Sequence, residues 1–168
     1  MRKNVKNLTR GALIGALYIA LTYLQNFLLP GSTSMAIQFR VSEALCILAL
    51  FSPCAIWGLT VGCLVFNLSN AAALPLDVVV GPAATAFACG AMWLTRRLTI
   101  KGYPLLALLM PAVFNGLMVG WELSFHIGGG FWLNAAYVAI GEVAVLLVLG
   151  SALYYTLRKK QLGARLFS

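Results

Sequence analysis

The residues most capable of chemistry are four acids and one arginine, which fall within or beside apolar stretches. The acids are Glu43, Asp77, Glu122 and Glu142, the full set in the chain, and Arg40 precedes the first of them by three residues. A carboxylate accepts hydrogen bonds, and ionisable groups at membrane depth normally face a partner or a water-filled cavity. Glu142 has no basic residue within a helical turn. These residues predict a binding cavity lined by hydrogen-bond acceptors.

Amides and aromatic rings extend this set at helical spacing. Asn115, Glu122 and His126 are seven and four residues apart, so they share one face of a helix. Asn134 and Glu142, eight apart, share a face of the following helix. A flat ligand also needs one or two aromatic rings as stacking faces. The further candidates for substrate binding are Asn67, Asn115, Asn134, Trp121 and Tyr137.

Several of these residues also have a simpler structural interpretation. Arg40 and Glu43, three apart on a helix, are able to pair with each other. Asp77 is a candidate N-cap, a role worth about 1 kcal/mol, and tryptophan or tyrosine at a membrane border commonly anchors a helix in the interface. His126 is the single histidine, so a metal role is not expected for it. The sequence therefore predicts no metal and no cofactor.

The composition requires these residues to lie in a membrane. Of the 168 residues, 61% are hydrophobic and 10% are charged, whereas a soluble domain carries about 25% charged residues. A helical span takes about 20 residues, which leaves room for five or six spans and little else. Residues 1–168 therefore form a single integral membrane domain. The apolar stretch after the basic N-terminus is longer than the hydrophobic core of a signal peptide, so it is predicted to be a retained first helix.

Apolar stretches define the helices that position the candidate residues. The predicted helices cover about residues 6–29, 76–95, 104–126 and 131–157. Residues 35–70 form either one long kinked helix or two short helices of about 17 residues, because Ser52 and Pro53 interrupt them and proline permits both outcomes. The chain therefore has five or six spans.

The positive charges decide between five and six spans. Three clusters, at 2–10, 96–101 and 158–165, hold eleven of the twelve basic residues. Six spans put all three clusters on one side, which the positive-inside rule favours. The predicted fold is therefore an all-α membrane protein with six transmembrane helices and cytoplasmic N- and C-termini. The acids then lie in or border the outer half of the membrane, and the cavity opens outward.

Other function classes fit poorly. The net charge of +8 comes from clusters that flank apolar runs, so nucleic acid is not an expected partner. No nucleophile with a base in reach is evident, so no enzyme activity is expected. A Walker-type nucleotide motif is also missing, so energy for uphill transport would come from an ion gradient or a partner. Cys46, Cys54, Cys63 and Cys89 are interpreted as small apolar core residues.

A stripe of small residues runs along the first predicted helix. Ala12, Ala16 and Ala20 are spaced by four, and Gly11 and Gly15 by the same interval. Small residues at this spacing allow another helix to approach closely. The stripe is therefore either a docking face for a partner or an internal packing face.

Several segments, taken together, resemble the QueT family, the substrate-binding S components of energy-coupling-factor (ECF) transporters assigned to queuosine precursors. The segment from Gln38 to Leu45 carries the most specific match. Further matches lie at 58–67, 76–85, 114–123 and 141–142, so the resemblance covers nearly the whole chain. Pro82 departs from the family pattern, in which a non-proline residue is expected.

The resemblance implies a fold, partners and a ligand. The fold would be the six-helix S-component fold in the plasma membrane. The partners would be a transmembrane coupling subunit, which docks on Ala12, Ala16 and Ala20, and two cytoplasmic ATPases. The ligand would be a 7-deazaguanine, such as queuine or a pre-queuosine base, whose N–H edge suits a carboxylate. The alternatives are an S component for another vitamin, such as thiamin or riboflavin, and a stand-alone ion-coupled carrier.

Overall fold

Helix α1 covers Arg2–Leu28 and has two different faces. Tyr18 and Thr22 on one face are fully buried, whereas Ala16 and Ala20 on the opposite face are exposed. A shift of two residues rotates a side chain by about 200° on a helix, which explains the opposition of Ala16 and Tyr18. The computed structural model describes residues 2–30, 32, 39–71 and 73–159.

A 3₁₀ helix, Val41–Leu50, occupies the centre of the bundle. Residues 42–49 are all buried, and the segment contacts α1 and every later helix. A 3₁₀ helix rises about 2.0 Å per residue, so ten residues extend about 20 Å, against about 15 Å for an α-helix. The sequence predicts an α-helix of about 17 residues that begins near residue 35; residues 33–38 lie outside the described part of the chain.

Helix α2, Cys54–Ser69, crosses α1 at glycines on both helices. A Cβ atom on Gly58 would lie 2.4 Å from the carbonyl oxygen of Gly11, and one on Gly62 would lie 2.8 Å from that of Gly15. Side chains at these positions would force the backbones apart. Glycine therefore permits the close approach of α1 and α2, and it is the glycines of α1, not its alanines, that serve internal packing.

The remaining helices complete an antiparallel arrangement. They are α3, Asp77–Thr95; α4, Leu105–His126; α5, Phe131–Val145; a π-helical segment, Leu146–Gly150; and α6, Ser151–Lys159. The last three run on as one helix, since Phe131–Lys159 forms a continuous candidate span. Helix α3 continues through Pro82, so this departure from the family pattern does not end the helix.

The prediction of six helices matches the described structure. Among the described residues, four helices are long and apolar enough to cross a membrane by length and composition, and Val41–Leu50 and Cys54–Ser69 are shorter apolar helices. The chain turns between these two at residues 51–53, which agrees with two short helices rather than one kinked helix. The Arg158 guanidinium donates to the carbonyl of Gly102, so the end of α6 lies beside the loop between α3 and α4.

The main apolar core extends to the end of the bundle where Arg158 lies beside the loop between α3 and α4. Its buried members include Leu45, Leu59, Met92 and Leu108, and all four cysteines are buried and free, as the sequence predicts. Buried polar residues occur toward the other half, where the 3₁₀ helix and α3 begin and α4 ends. Most buried polar residues therefore lie in the half that carries the candidate site, where a second apolar cluster of Val119, Leu123 and Val138 packs beside them.

Candidate functional site

A buried ladder of hydrogen bonds joins α1 to the 3₁₀ helix. The Tyr18 hydroxyl donates to Glu43 Oε1 at 2.7 Å, and the Thr22 hydroxyl donates to Ser42 Oγ at 2.8 Å. The side-chain oxygen Oε1 of Gln25 accepts from the backbone N–H of Val41 at 2.7 Å. Tyr18, Thr22 and Gln25 follow one another at helical spacing, so one face of α1 holds the start of the 3₁₀ helix in place.

Glu43 has both carboxylate oxygens occupied by donors of the protein. Oε1 accepts from Tyr18, and Oε2 accepts from the thiol of Cys46 at 3.2 Å. Because Glu43 is almost completely buried, these bonds offset part of the cost of placing a carboxylate out of water. Glu43 is therefore fixed in position and its oxygens are engaged before any ligand arrives.

Arg40 supplies a buried positive charge within electrostatic range of the four acids. It is buried at the start of the 3₁₀ helix and interacts electrostatically with Glu43 and Asp77. Glu122 and Glu142 also feel its charge. Arg40 therefore does more than pair with the acid three residues along the chain. Residues from the 3₁₀ helix, α3, α4 and α5 form a cluster in which acids outnumber the base.

Glu142 on α5 is half satisfied. Asn115 on α4 donates from Nδ2 to Glu142 Oε1 at 3.0 Å, while Oε2 is buried and accepts no hydrogen bond from the described residues. Glu142 is only 2% exposed. A buried acceptor without a donor costs about 1–3 kcal/mol, so this oxygen is suited to a donor that comes from outside the chain.

Glu122 on α4 is the least satisfied acid. Its side chain is fully buried, and neither carboxylate oxygen accepts a hydrogen bond from the described residues. Asp77 lies near enough to interact electrostatically, and two nearby carboxylates repel each other when both are ionised. Donors or a positive charge on a ligand would relieve this repulsion. Glu122 and Glu142 both have oxygens that accept no hydrogen bond from a donor group of the described residues.

Asp77 and Asn67 hold the start of α3. Asp77 Oδ2 accepts from the backbone N–H of Leu74 at 2.8 Å, upstream of the helix, and no side-chain bond caps the helix from Leu76. The N-cap interpretation of Asp77 is therefore wrong. Asn67 on α2 donates to the Asp77 carbonyl at 2.7 Å. Its amide N–H thus joins α2 to α3 beside the acid cluster.

Asn134 and His126 bond near the turn between α4 and α5 and not to the side chains of the acids. Asn134 donates to Ser124 Oγ and to the Gly128 carbonyl, both at 3.0 Å, and so secures the turn between α4 and α5. His126 is exposed at the end of α4, where its ring nitrogen Nδ1 lies 3.1 Å from the Glu122 carbonyl. Tyr137 is half-buried on α5, five residues before Glu142.

An apolar cleft of about 340 Å³ lies close to two of the acids. It is lined by Val80, Leu117, Met118, Trp121 and Phe131. Val80 follows Asp77 by three residues on α3, and Met118 precedes Glu122 by four on α4, so the cleft lies about one helical turn from both acids. Trp121 is 54% exposed and contributes an aromatic face to this cleft. The volume lies in the range of small-molecule sites.

The alanines of α1 face outward, in contrast to its glycines. Ala12, Ala16 and Ala20 are exposed. Ala12 and Ala16 line a shallow groove between α1 and α2 together with Val61 and Trp57. Internal packing therefore accounts for the glycines, and the alanine face is free to meet lipid or another helix.

The two donors to Glu43, Tyr18 and Cys46, are missing from the binding residues proposed from the sequence. Tyr18 bonds directly to Glu43, and its signal is the polar series Tyr18, Thr22 and Gln25 at helical spacing within an apolar helix. Within the described residues, no group of three or more histidine, cysteine or acidic side chains is arranged to hold a metal ion. The chemistry that the cluster offers is hydrogen-bond acceptance and charge.

The comparison with known proteins agrees with the sequence pattern. The model of a family described as QueT transporter matches residues 8–159. No curated protein and no solved structure matches the chain.

Proposed function

The chain belongs to the QueT transporter family, and we propose that it is the substrate-binding S component of an ECF importer for a queuosine precursor. As a family member it is a transport protein and not an enzyme. In this proposal the chain crosses the plasma membrane several times and has cytoplasmic termini. The positive-inside rule supports that orientation, because the basic clusters then lie on the cytoplasmic side. A transmembrane coupling subunit and two cytoplasmic ATPases would supply energy.

The observation that carries the ligand assignment is the set of open carboxylate oxygens on Glu122 and Glu142. The guanine edge of a 7-deazaguanine presents a ring N–H and an amino N–H side by side. A carboxylate accepts such a pair of parallel bonds, and charge assistance makes each bond about twice as strong as a neutral one. A queuosine precursor that carries an amine would also bring a positive charge into a cluster with more acids than bases.

The cleft beside the acids supports the same class of ligand. Its walls are apolar and include the face of Trp121. Asp77 and Glu122 do not line it, but each lies about one helical turn along its helix from a lining residue. A planar heterocycle that rests against an aromatic ring gains about 0.5–1.5 kcal/mol beyond its buried area. Apolar walls with a few polar groups are typical of small-molecule sites.

Binding by the purified chain tests the proposal most economically. The protein in lipid nanodiscs is titrated by calorimetry with queuine, pre-queuosine bases, thiamin and riboflavin. We expect saturable binding of a 7-deazaguanine without any partner protein, since the acids that form the cluster all belong to this chain. Binding of thiamin or riboflavin alone would instead identify an S component for another vitamin.

Uptake measurements separate an S component from a stand-alone carrier. Liposomes that contain the chain alone, with no ATP, are tested for accumulation of a labelled 7-deazaguanine under an imposed ion gradient. We expect no accumulation, and we expect accumulation when the coupling subunit, the ATPases and internal ATP are added. Concentrative uptake by the chain alone would refute the S-component proposal.

A further inference from the structure

Tyr18 lies outside the acid cluster in the sequence but inside it in the structure. It belongs to α1, is fully buried, and donates to Glu43 Oε1 at 2.7 Å. A buried tyrosine usually finds a partner for its hydroxyl, but this partner is one of the four acids around Arg40.

The bond gives Glu43 a different role from the other buried glutamates. Glu43 accepts from Tyr18 and Cys46, so both of its oxygens are occupied, whereas Glu122 and Glu142 keep open oxygens. Arg40 interacts with Glu43 and with the open acids alike. Glu142 also lies within electrostatic range of Glu43, so a change at the Glu43 carboxylate alters the charge balance around Glu142.

We propose that Tyr18 is a positioning residue of the ligand site and acts through Glu43; this inference rests on the proposed binding function. The hydroxyl satisfies Glu43 and so keeps its carboxylate from competing for Arg40 or for the ligand. Without the hydroxyl, Glu43 Oε1 is a buried acceptor with no donor from α1. The carboxylate would then shift toward the charge of Arg40 or take up a proton, and either change alters the charge balance that a ligand meets.

The same helix supplies a matched control. Tyr23 lies five residues further along α1 and donates its hydroxyl to Ser69 Oγ at 2.7 Å, away from the acids. Its ring packs edge-on against Phe66, and phenylalanine would keep that contact. Tyr18→Phe and Tyr23→Phe each remove one hydroxyl that donates to another helix. The hydroxyl of Tyr18 donates to an acid of the cluster, whereas that of Tyr23 donates to a serine.

The experiment is a double-mutant cycle of ligand affinity in nanodiscs, with queuine and 7-aminomethyl-7-deazaguanine as probes. Tyr18→Phe should weaken the affinity of the tighter probe by about tenfold, the order expected for a lost bond to a charged group. Tyr23→Phe should bind like wild type. If Tyr18 acts through Glu43, Glu43→Gln and the double variant should lose similar affinity, because the second change finds its partner already altered.

The outcomes separate this inference from the proposed function. Wild-type protein that binds neither probe overturns both. Wild-type binding with unchanged affinity in a folded Tyr18→Phe variant, or strictly additive losses in the cycle, overturns only the role of Tyr18. If Tyr18→Phe does not fold, Glu43→Gln alone decides, because Tyr18 is proposed to act through this carboxylate: a weaker affinity in the folded variant supports the inference, and an unchanged affinity overturns it.

Discussion

Asn115 on α4 donates a 3.0 Å hydrogen bond to Oε1 of Glu142 on α5 and leaves Oε2 of the same carboxylate without a donor among the described residues. The bond orients the carboxylate, since one oxygen is held by the neighbouring helix. The other oxygen is available in a fixed direction. A preorganised acceptor binds a ligand with less loss of side-chain freedom than a mobile one.

Ala16→Trp tests the outward face of α1. Ala16 is exposed and lines the groove between α1 and α2, and helix association in lipid relies on close packing of small residues. The indole should hold an approaching coupling helix away and forfeit dispersion contacts. We expect the variant to bind ligand normally but to fail to co-purify with the coupling subunit and ATPases.

The control for this variant is Ile140→Trp, which places the same ring on an exposed position of α5. It should co-purify like wild type. Loss of ligand binding in Ala16→Trp would show that the alanine face supports the site instead of a partner. Normal co-purification of Ala16→Trp would remove this face from the docking surface.

Gly58→Ala tests the crossing of α1 and α2. The new methyl group would lie 2.4 Å from the carbonyl oxygen of Gly11, which is backbone and cannot rotate away. The helices must separate, at a cost of about 1–3 kcal/mol. We expect a lower midpoint of thermal unfolding in detergent.

Gly90→Ala is the matched control, because a Cβ atom there meets nothing within 4 Å. Alanine stabilises a helix interior by about 0.5–1 kcal/mol over glycine, so this variant should melt at or above the wild-type temperature. Equal melting temperatures for Gly58→Ala and wild type would contradict the close crossing.

Trp121→Ala tests the cleft beside Asp77 and Glu122. Removal of the indole should weaken binding of a 7-deazaguanine by about 1 kcal/mol, or roughly fivefold, if the ring stacks on the base. Trp132→Ala is the control, since Trp132 is 76% exposed and does not line that cleft. Equal affinities for the two variants, measured by calorimetry, would assign Trp121 to the interface with lipid.

Particular residues show how far sequence reasoning reaches. The acids at 43, 77, 122 and 142 were predictable as a group because helix spacing and the positive charges place them in one half of the bundle. The partners of Glu43 were not, because Tyr18 reaches it only through the crossing of α1 with a 3₁₀ helix. An α-helical register would have turned these side chains differently, and sequence pattern alone does not distinguish the two helix types.

The hydrogen-bond partners of Asn115 and Asn134 were not predictable from the sequence either. The shared face of Asn115 and Glu122 follows from their spacing, but the bond from Asn115 to Glu142 depends on how α4 and α5 pack at Gly116 and Gly120. Asn134 shares a face with Glu142 by the same counting and nevertheless bonds to the turn before it. Periodicity assigns a face, whereas the choice of partner comes from tertiary contacts. The assignment of these residues to substrate binding stays a prediction.

The affinity of Glu142→Gln for a 7-deazaguanine tests the central claim most directly. Glutamine keeps the size of the side chain and replaces one acceptor oxygen with a donor, so a ligand N–H loses its partner inside a buried site. That loss costs about 1–3 kcal/mol and more when a charge is involved, so calorimetry on the folded variant should show at least about a tenfold weaker affinity than wild type. An unchanged affinity in a folded Glu142→Gln protein would contradict the account and remove Glu142 from the ligand site.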